Sequence, residues 1–273
     1  MNMKCIEIMD LTFKYDNVTI FKNLSLELYS NNFYILSGLN GCGKSTLLKI
    51  IGGKTSAAYD KVKVLNKDPF RDTILNKDIT FINNEWGMQT VAFCGVTPLQ
   101  SSLKVKEMMV KLKEEYPERS NELLKVLDIN PEWRLNGISE GQRKRVQLYL
   151  CLIKPFQICL LDEITVNLDL LIKDKFMEYL KKEINLRKCC IIYVTHIFDG
   201  LEKWATQLIY LKKNKKIQIF PLSLAKVNIY DFLLSKFKLE YNENEIEKEE
   251  NSYEISSKNA GGYSNGVLIN MKY

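Results

Sequence analysis

A single histidine in 273 residues, no cysteines in C-x-x-C spacing and no apolar run near membrane-span length are the first features of this sequence. Each absence removes a class of protein. One histidine and unclustered thiols exclude the usual zinc sites. Seven cysteines is an odd count. Several of them (Cys94, Cys151, Cys159, Cys190) stand inside apolar runs, where the thiol packs as a small hydrophobe; a reducing compartment is expected rather than a disulfide framework. Without about 20 consecutive apolar residues no helix spans a bilayer. Met1 to Asp10 hold no apolar h-region of signal-peptide length, so a cytoplasmic or nuclear location is expected. No internal repeat is visible.

What is present is ordinary globular material, 46% hydrophobic and 26% charged. The formal charge of +6 is mild, and its lysines are spread along the chain, which reads as solvated surface. Direct nucleic-acid binding is not expected. After Glu240 the composition turns: Glu243, Glu245, Glu247, Glu249 and Glu250 form an acidic run followed by Asn, Ser and Gly. Such sequence buries too little apolar area to offset its ordering entropy. The expected organisation is one domain over 1–240 and a flexible acidic tail over 241–273.

Within that domain, alternating apolar positions at Ile6, Ile8 and Leu11 and at Leu24, Leu26 and Leu28 predict an antiparallel pair. Phe33 to Ser37, Val62 to Leu65, Ile79 to Ile82, Ile158 to Leu161 and Cys190 to Val194 read as strands. Leu208 to Leu211 and Ile217 to Phe220 read as a hairpin. Helices are expected from Ser45 to about Ile51, within about 103–153, from Leu170 to Glu183, and from Ile229 to Leu239.

Three segments carry chemistry. Gly38-Leu39-Asn40-Gly41-Cys42-Gly43-Lys44-Ser45 satisfies G-x-x-x-x-G-K-[ST] between a buried strand and a helix. Glycines there let successive backbone N–H groups converge on phosphates at the positive end of a helix. Lys44 is expected to reach the β- and γ-phosphates of ATP, and the Ser45 hydroxyl to bind Mg²⁺. Gly38, Asn40, Gly41, Cys42, Gly43 and Thr46 complete the expected nucleotide contacts, with Cys42 read as a small tolerated side chain. Ile158 to Glu163 is an apolar strand ending in two acids: Asp162 suits the magnesium shell, and Glu163 suits polarisation of an attacking water. Ser139 and Gln142 fit a capping box, opening a helix whose N-terminus suits a γ-phosphate.

In this order the segments resemble the nucleotide-binding cassette of ABC ATPases over roughly residues 3–220. The resemblance implies an α/β fold: a P-loop, RecA-like core sheet, an N-terminal antiparallel β subdomain and an inserted α-helical subdomain at about 103–153. Tyr15 stands where the family stacks an aromatic on adenine. His196, after Thr195, stands where a switch histidine meets the γ-phosphate and orients the catalytic acid. Ser139-Glu140-Gly141-Gln142 occupies the signature position, with Glu140 in place of the usual glycine. Leu168-Asp169 occupies the D-loop. For the Q-loop glutamine, expected at the metal and the catalytic water, Gln100 is chosen, with Asn84 and Gln89 as alternatives.

A narrower resemblance rests on Asn84-Glu85-Trp86, Pro131-Glu132-Trp133-Arg134, the stretch Ser139 to Gln147, Asp162 to Asp169, and Thr195-His196-Ile197-Phe198-Asp199-Gly200-Leu201. These are similar to the soluble, non-intrinsic ABC ATPases named for association with the Ccr–Not deadenylase and transcription complex. The implied activity is MgATP hydrolysis by a nucleotide-dependent homodimer, each site pairing Lys44, Ser45, Asp162, Glu163 and His196 of one chain with Ser139 and Gly141 of another, and with Gln142 as a further expected nucleotide contact. The implied role is regulatory, within a Ccr–Not type complex. The alternative is the ATP-binding subunit of a multi-chain transporter.

Overall fold

The computed structural model describes residues 3–58, 60–84, 103–164, 168–198, 200–213, 216–222 and 228–242. Gln89 and Gln100, Glu85, Trp86, Thr165 to Asn167 and Asp199 of the narrower resemblance, and residues 243–273 of the expected 241–273 tail lie outside them. The chain divides into two compact units, Met1–Lys226 and Val227–Tyr273. In the second, a helix (α6) runs over 229–242.

The first unit opens on two long strands, β1 (Lys4–Tyr15) and β2 (Val18–Tyr29), paired antiparallel. With β4 (Val62–Val64) on the far side of β1 they form a three-stranded sheet. Cross-strand pairs Ile6–Leu28, Ile8–Leu26 and Leu11–Leu24 put one apolar face into the core. The strands are longer than the alternation predicts. Asp10 (φ 45°) and Asn23 (φ 52°) take left-handed backbone at irregularities in the pairing. Each shifts the period of two, so the pattern breaks while the ladder continues.

Among the described residues the second sheet runs in the order β5-β6-β7-β3-β8-β9, with β3 Asn32–Ser37, β5 Ile79–Ile82, β6 Ile158–Asp162, β7 Cys190–Val194, β8 Gln207–Leu211 and β9 Ile217–Pro221. All neighbours are parallel except the β8–β9 hairpin. Residues of β3 and β7 are buried throughout, as expected of parallel strands covered on both faces. The thiols of Cys159 in β6 and Cys190 in β7 are fully buried; burial pushes Cys159 well above its ordinary pKa, and Cys190 is raised first by its hydrogen bond with Cys5 and then by burial.

Helix α1 (Lys44–Ile51) follows β3, and α5 (Leu170–Arg187) carries the chain from β6 to β7. α5 outlasts its predicted end at Glu183 by one turn: Glu183 and Arg187 pair at 3.1 Å, and Lys188 closes the helix in left-handed backbone (φ 56°). Between β5 and β6 the described residues include the helices α2 (Val105–Glu115), α3 (Pro117–Val126) and α4 (Glu140–Leu152). Pro117 at the first position of α3 separates it from α2. A buried ion pair, Arg119 to Glu183 at 2.7 Å, fastens α3 to α5, and Arg119 Nε donates to the Leu152 carbonyl at the end of α4.

Candidate functional site

Register across the core sheet decides where the chemistry gathers. Leu36 of β3 pairs with Val194 of β7, and Val194 pairs with Asp162 of β6. Those three residues form one row, and the chain leaves the sheet just beyond it in each strand. Gly38 to Ser45, Glu163 and His196 therefore emerge side by side at the carboxyl ends of adjacent parallel strands, where open α/β sheets bind ligands.

The loop after β3 is built around its glycines. A Cβ on Gly38 would lie 2.3 Å from the Leu211 carbonyl oxygen and 2.8 Å from Cys42 Sγ, so only glycine lets β3 turn there against β8. Gly43 precedes α1 with φ 105°, and a Cβ would strike the Phe21 ring at 2.8 Å. Cys42 buries its side chain in the core formed with β1 and β2. Lys44 is buried and donates from Nζ to the carbonyls of Gly38 (2.8 Å) and Leu39 (3.2 Å), which curls the ammonium over the loop. Asn40 and Ser45 are exposed, and Thr46 is half-buried in the first turn of α1.

Asp162, at the end of β6, accepts a hydrogen bond from the Ser45 hydroxyl. Its carboxyl pKa is raised, chiefly by burial and further by the neighbouring Glu163, while Ser45 pulls the other way. A hydroxyl and a carboxylate so placed are hard oxygen donors, and two protein oxygens with water and phosphate suit magnesium. Among the described residues no cluster of three or more His, Cys, Asp or Glu side chains offers an all-protein metal cage.

Glu163 departs from regular backbone. Its φ is 52°, uncommon for a residue with a side chain, and its N–H donates to the Val194 carbonyl at 3.0 Å. The turn brings its Oε1 to 3.1 Å from Nε2 of His196. The histidine is held in place from the backbone: Thr195 Oγ1 accepts the N–H of Ile197 at 3.0 Å. Both side chains remain partly open to solvent, 40% for Glu163 and 44% for His196.

Tyr15 ends β1, 44% exposed, its ring edge-on to Phe13 at 5.0 Å. Phe13 in turn lies 6.5 Å from Phe21, the ring beneath Gly43, so an aromatic row joins Tyr15 to the loop.

The signature segment is arranged differently. Ser139 Oγ accepts the N–H of Gln142 (3.2 Å), and Gln142 Oε1 accepts the N–H of Ser139 (3.0 Å), closing a reciprocal cap on α4. Ser139 is exposed, and Gly141 and Gln142 are partly buried in that first turn. Gln100 lies outside the described residues, as does Gln89. Asn84 is described: it follows β5 and donates from Nδ2 to the Glu163 carbonyl at 3.2 Å. Its place could be read from the strand Ile79 to Ile82, since a side chain just past a parallel strand shares its edge with the acids ending the neighbouring strand.

A sequence model of the family described as "ABC transporter" matches residues 21–166. The chain belongs to that family. It is an ATP-binding cassette and an ATPase. ABC transporter I family member 20 of Arabidopsis thaliana is 40% identical over 233 residues, covering 81% of this chain and 71% of that protein. CCR4-associated factor 16 of Saccharomyces cerevisiae is 34% identical over 220 residues, covering 77% and 76%. Among solved structures, an ATP-binding subunit of an ABC transporter superposes with a TM-score of 0.69 at 17% identity, over 85% of this cassette and 98% of that chain. A dimeric ATP-binding cassette in a post-hydrolysis state with ADP and Pi gives 0.61 at 24% identity, over 80% and 98%. The α/β architecture, with its antiparallel and mainly parallel sheets, is thus that of ABC cassettes. Among the described residues no helix is long and apolar enough to cross a membrane.

Proposed function

We propose that this cassette hydrolyses MgATP as a nucleotide-dependent homodimer and acts as a regulatory ATPase of a Ccr–Not type complex. The observation that carries the catalytic part is the contact of Glu163 with His196 beside the Gly38–Ser45 loop. The loop amides cradle the phosphates, and Lys44 moves from its carbonyls onto the β/γ-phosphate oxygens. Ser45 and Asp162 would hold magnesium, which when bound would supply positive charge against that developing on the phosphoryl group. Glu163 accepts the proton of the attacking water while His196 fixes the carboxylate and meets the γ-phosphate. Catalysis is positioning and electrostatic stabilisation of a loose transition state. Tyr15 stacks on the base.

Ser139 and the α4 amides serve the ATP of a second copy, since an exposed, well-capped helix N-terminus is built to face an anion. Similarity to the yeast protein named as a CCR4-associated factor supports the regulatory role over transport.

The test uses Glu163→Gln, which keeps shape and removes the base. ATP binding is expected within about twofold of wild type, hydrolysis is expected to fall about 100-fold or more, and ATP is expected to lock the dimer. Unchanged turnover removes Glu163 from the reaction. Capture on this trapped form is expected to recover deadenylase subunits; recovery of membrane-spanning subunits instead would assign the cassette to a transporter.

A further inference from the structure

Lys144 lies in the second turn of α4 with its side chain buried, 7% exposed. Among the described residues no carboxylate lies within ion-pair distance of it, and burial draws its pKa down to about 8. Its ammonium instead donates to the Asn83 carbonyl and to Asn84 Oδ1, both at 2.9 Å. Gln147, on the same face of α4, donates to the same Asn83 carbonyl at 2.9 Å. An ammonium only donates, so it holds the oxygen of the Asn84 amide toward itself. The amide nitrogen then points the other way, onto the main-chain carbonyl of Glu163 at 3.2 Å.

That carbonyl belongs to the strained residue of the site. With φ at 52°, Glu163 keeps its turn because its surroundings hold it, and the turn aims its carboxylate at His196. Its N–H is held by Val194 and its carbonyl by Asn84. Were packing the only requirement, methionine would fill the same volume without desolvating a cation.

We infer that Lys144 is a positioning residue for Glu163, acting through the oriented Asn84 amide, and that it ties the signature helix to the catalytic turn of its own chain. The inference rests on the proposed ATP site. In the dimer, the N-terminus of α4 faces the partner's nucleotide while Lys144 steadies this chain's base, so one helix touches the chemistry of both sites.

The experiment compares wild type, Lys144→Met, Asn84→Ala and the double variant in ATP turnover, equilibrium ATP binding and thermal unfolding. Each single variant is expected to lose about 10–100-fold in kcat, with ATP affinity within about twofold and no fall in Tm. The double variant is expected to lose no more than the worse single one, because both cut one chain of contacts. Turnover of Lys144→Met within about twofold of wild type, or losses that simply multiply in the double variant, would overturn the inference. So would a kcat loss matched by weaker ATP binding and a lower Tm, the mark of a packing role alone. A wild-type protein that fails to hydrolyse ATP removes the underlying reading; a wild type that does, with Lys144→Met unimpaired, removes only this one.

Discussion

At the scale of single residues, the phosphate loop shows two different reasons for glycine. Gly38 is there for space, since a methyl group would enter the Leu211 carbonyl and the Cys42 sulfur. Gly41 is there for backbone freedom: its φ is 78°, yet a Cβ would meet nothing within 4 Å. Alanine should separate the two. Gly41→Ala carries left-handed strain alone, about 1 kcal/mol, and is expected to weaken ATP binding modestly. Gly38→Ala must displace the end of β3 from β8, and about 2–3 kcal/mol of stability is expected to go with it. Urea unfolding of the two variants checks the order; equal losses would mean that β8 yields to the methyl group. Backbone geometry also sets Glu163 apart. The sequence marks it by chemistry, as the second acid after an apolar strand, but not its left-handed turn, which only the meeting of β6 with Val194 and Asn84 imposes.

At the scale of elements, what was legible in the sequence followed local patterns, and what was not depended on partners distant in the chain. The buried strands β3, β6 and β7 stand out as apolar runs, and Ser139 with Gln142 announces the start of α4. The true lengths of β1 and β2 do not, because Asp10 and Asn23 break the alternation while pairing continues. Nor does the joint between α3 and α5, where Arg119 and Glu183, distant in the chain, meet in the interior. Lys144 was visible only as one more basic residue in Arg143-Lys144-Arg145. Its burial against Asn83 and Asn84 comes from the packing of α4 on β5. The cap of α4 supplies a prediction of its own. Losing the Ser139 hydroxyl costs a helix about 1 kcal/mol. If Ser139 also faces the partner's γ-phosphate, Ser139→Ala is expected to cut kcat by about 100-fold, far beyond what that small loss of stability explains. Parallel measurements of urea unfolding and turnover decide it; a rate that falls only as far as the folded fraction would leave Ser139 a cap and nothing more.

At the scale of the whole molecule, the question is what a second copy would rest on. Just past Leu168-Asp169, the first turn of α5 presents Leu170 and Leu171, which are 83% and 62% exposed. The side chain of Asp169 caps that turn by accepting the N–H of Ile172 at 2.9 Å, so the leucines are displayed on an ordered helix start. Adjacent exposed leucines are unfavourable in an isolated cassette, and the segment leading into them follows Glu163 in the chain. Burying one such side chain stabilises an association by about 1.5–3 kcal/mol, and a two-fold axis counts each residue twice. Replacing Leu170 and Leu171 by glutamate in the Glu163→Gln background is therefore expected to raise the dimer dissociation constant in ATP by at least about tenfold. ATP binding to the separated chains should stay unchanged, since neither leucine belongs to the phosphate loop. Sedimentation across a dilution series, with and without ATP, reads both quantities. Wild-type turnover per chain should likewise rise with protein concentration at high dilution and level off once dimers dominate. Turnover that is flat across that range, together with dimerisation indifferent to the two glutamates, would mean that each chain completes its site without a second copy.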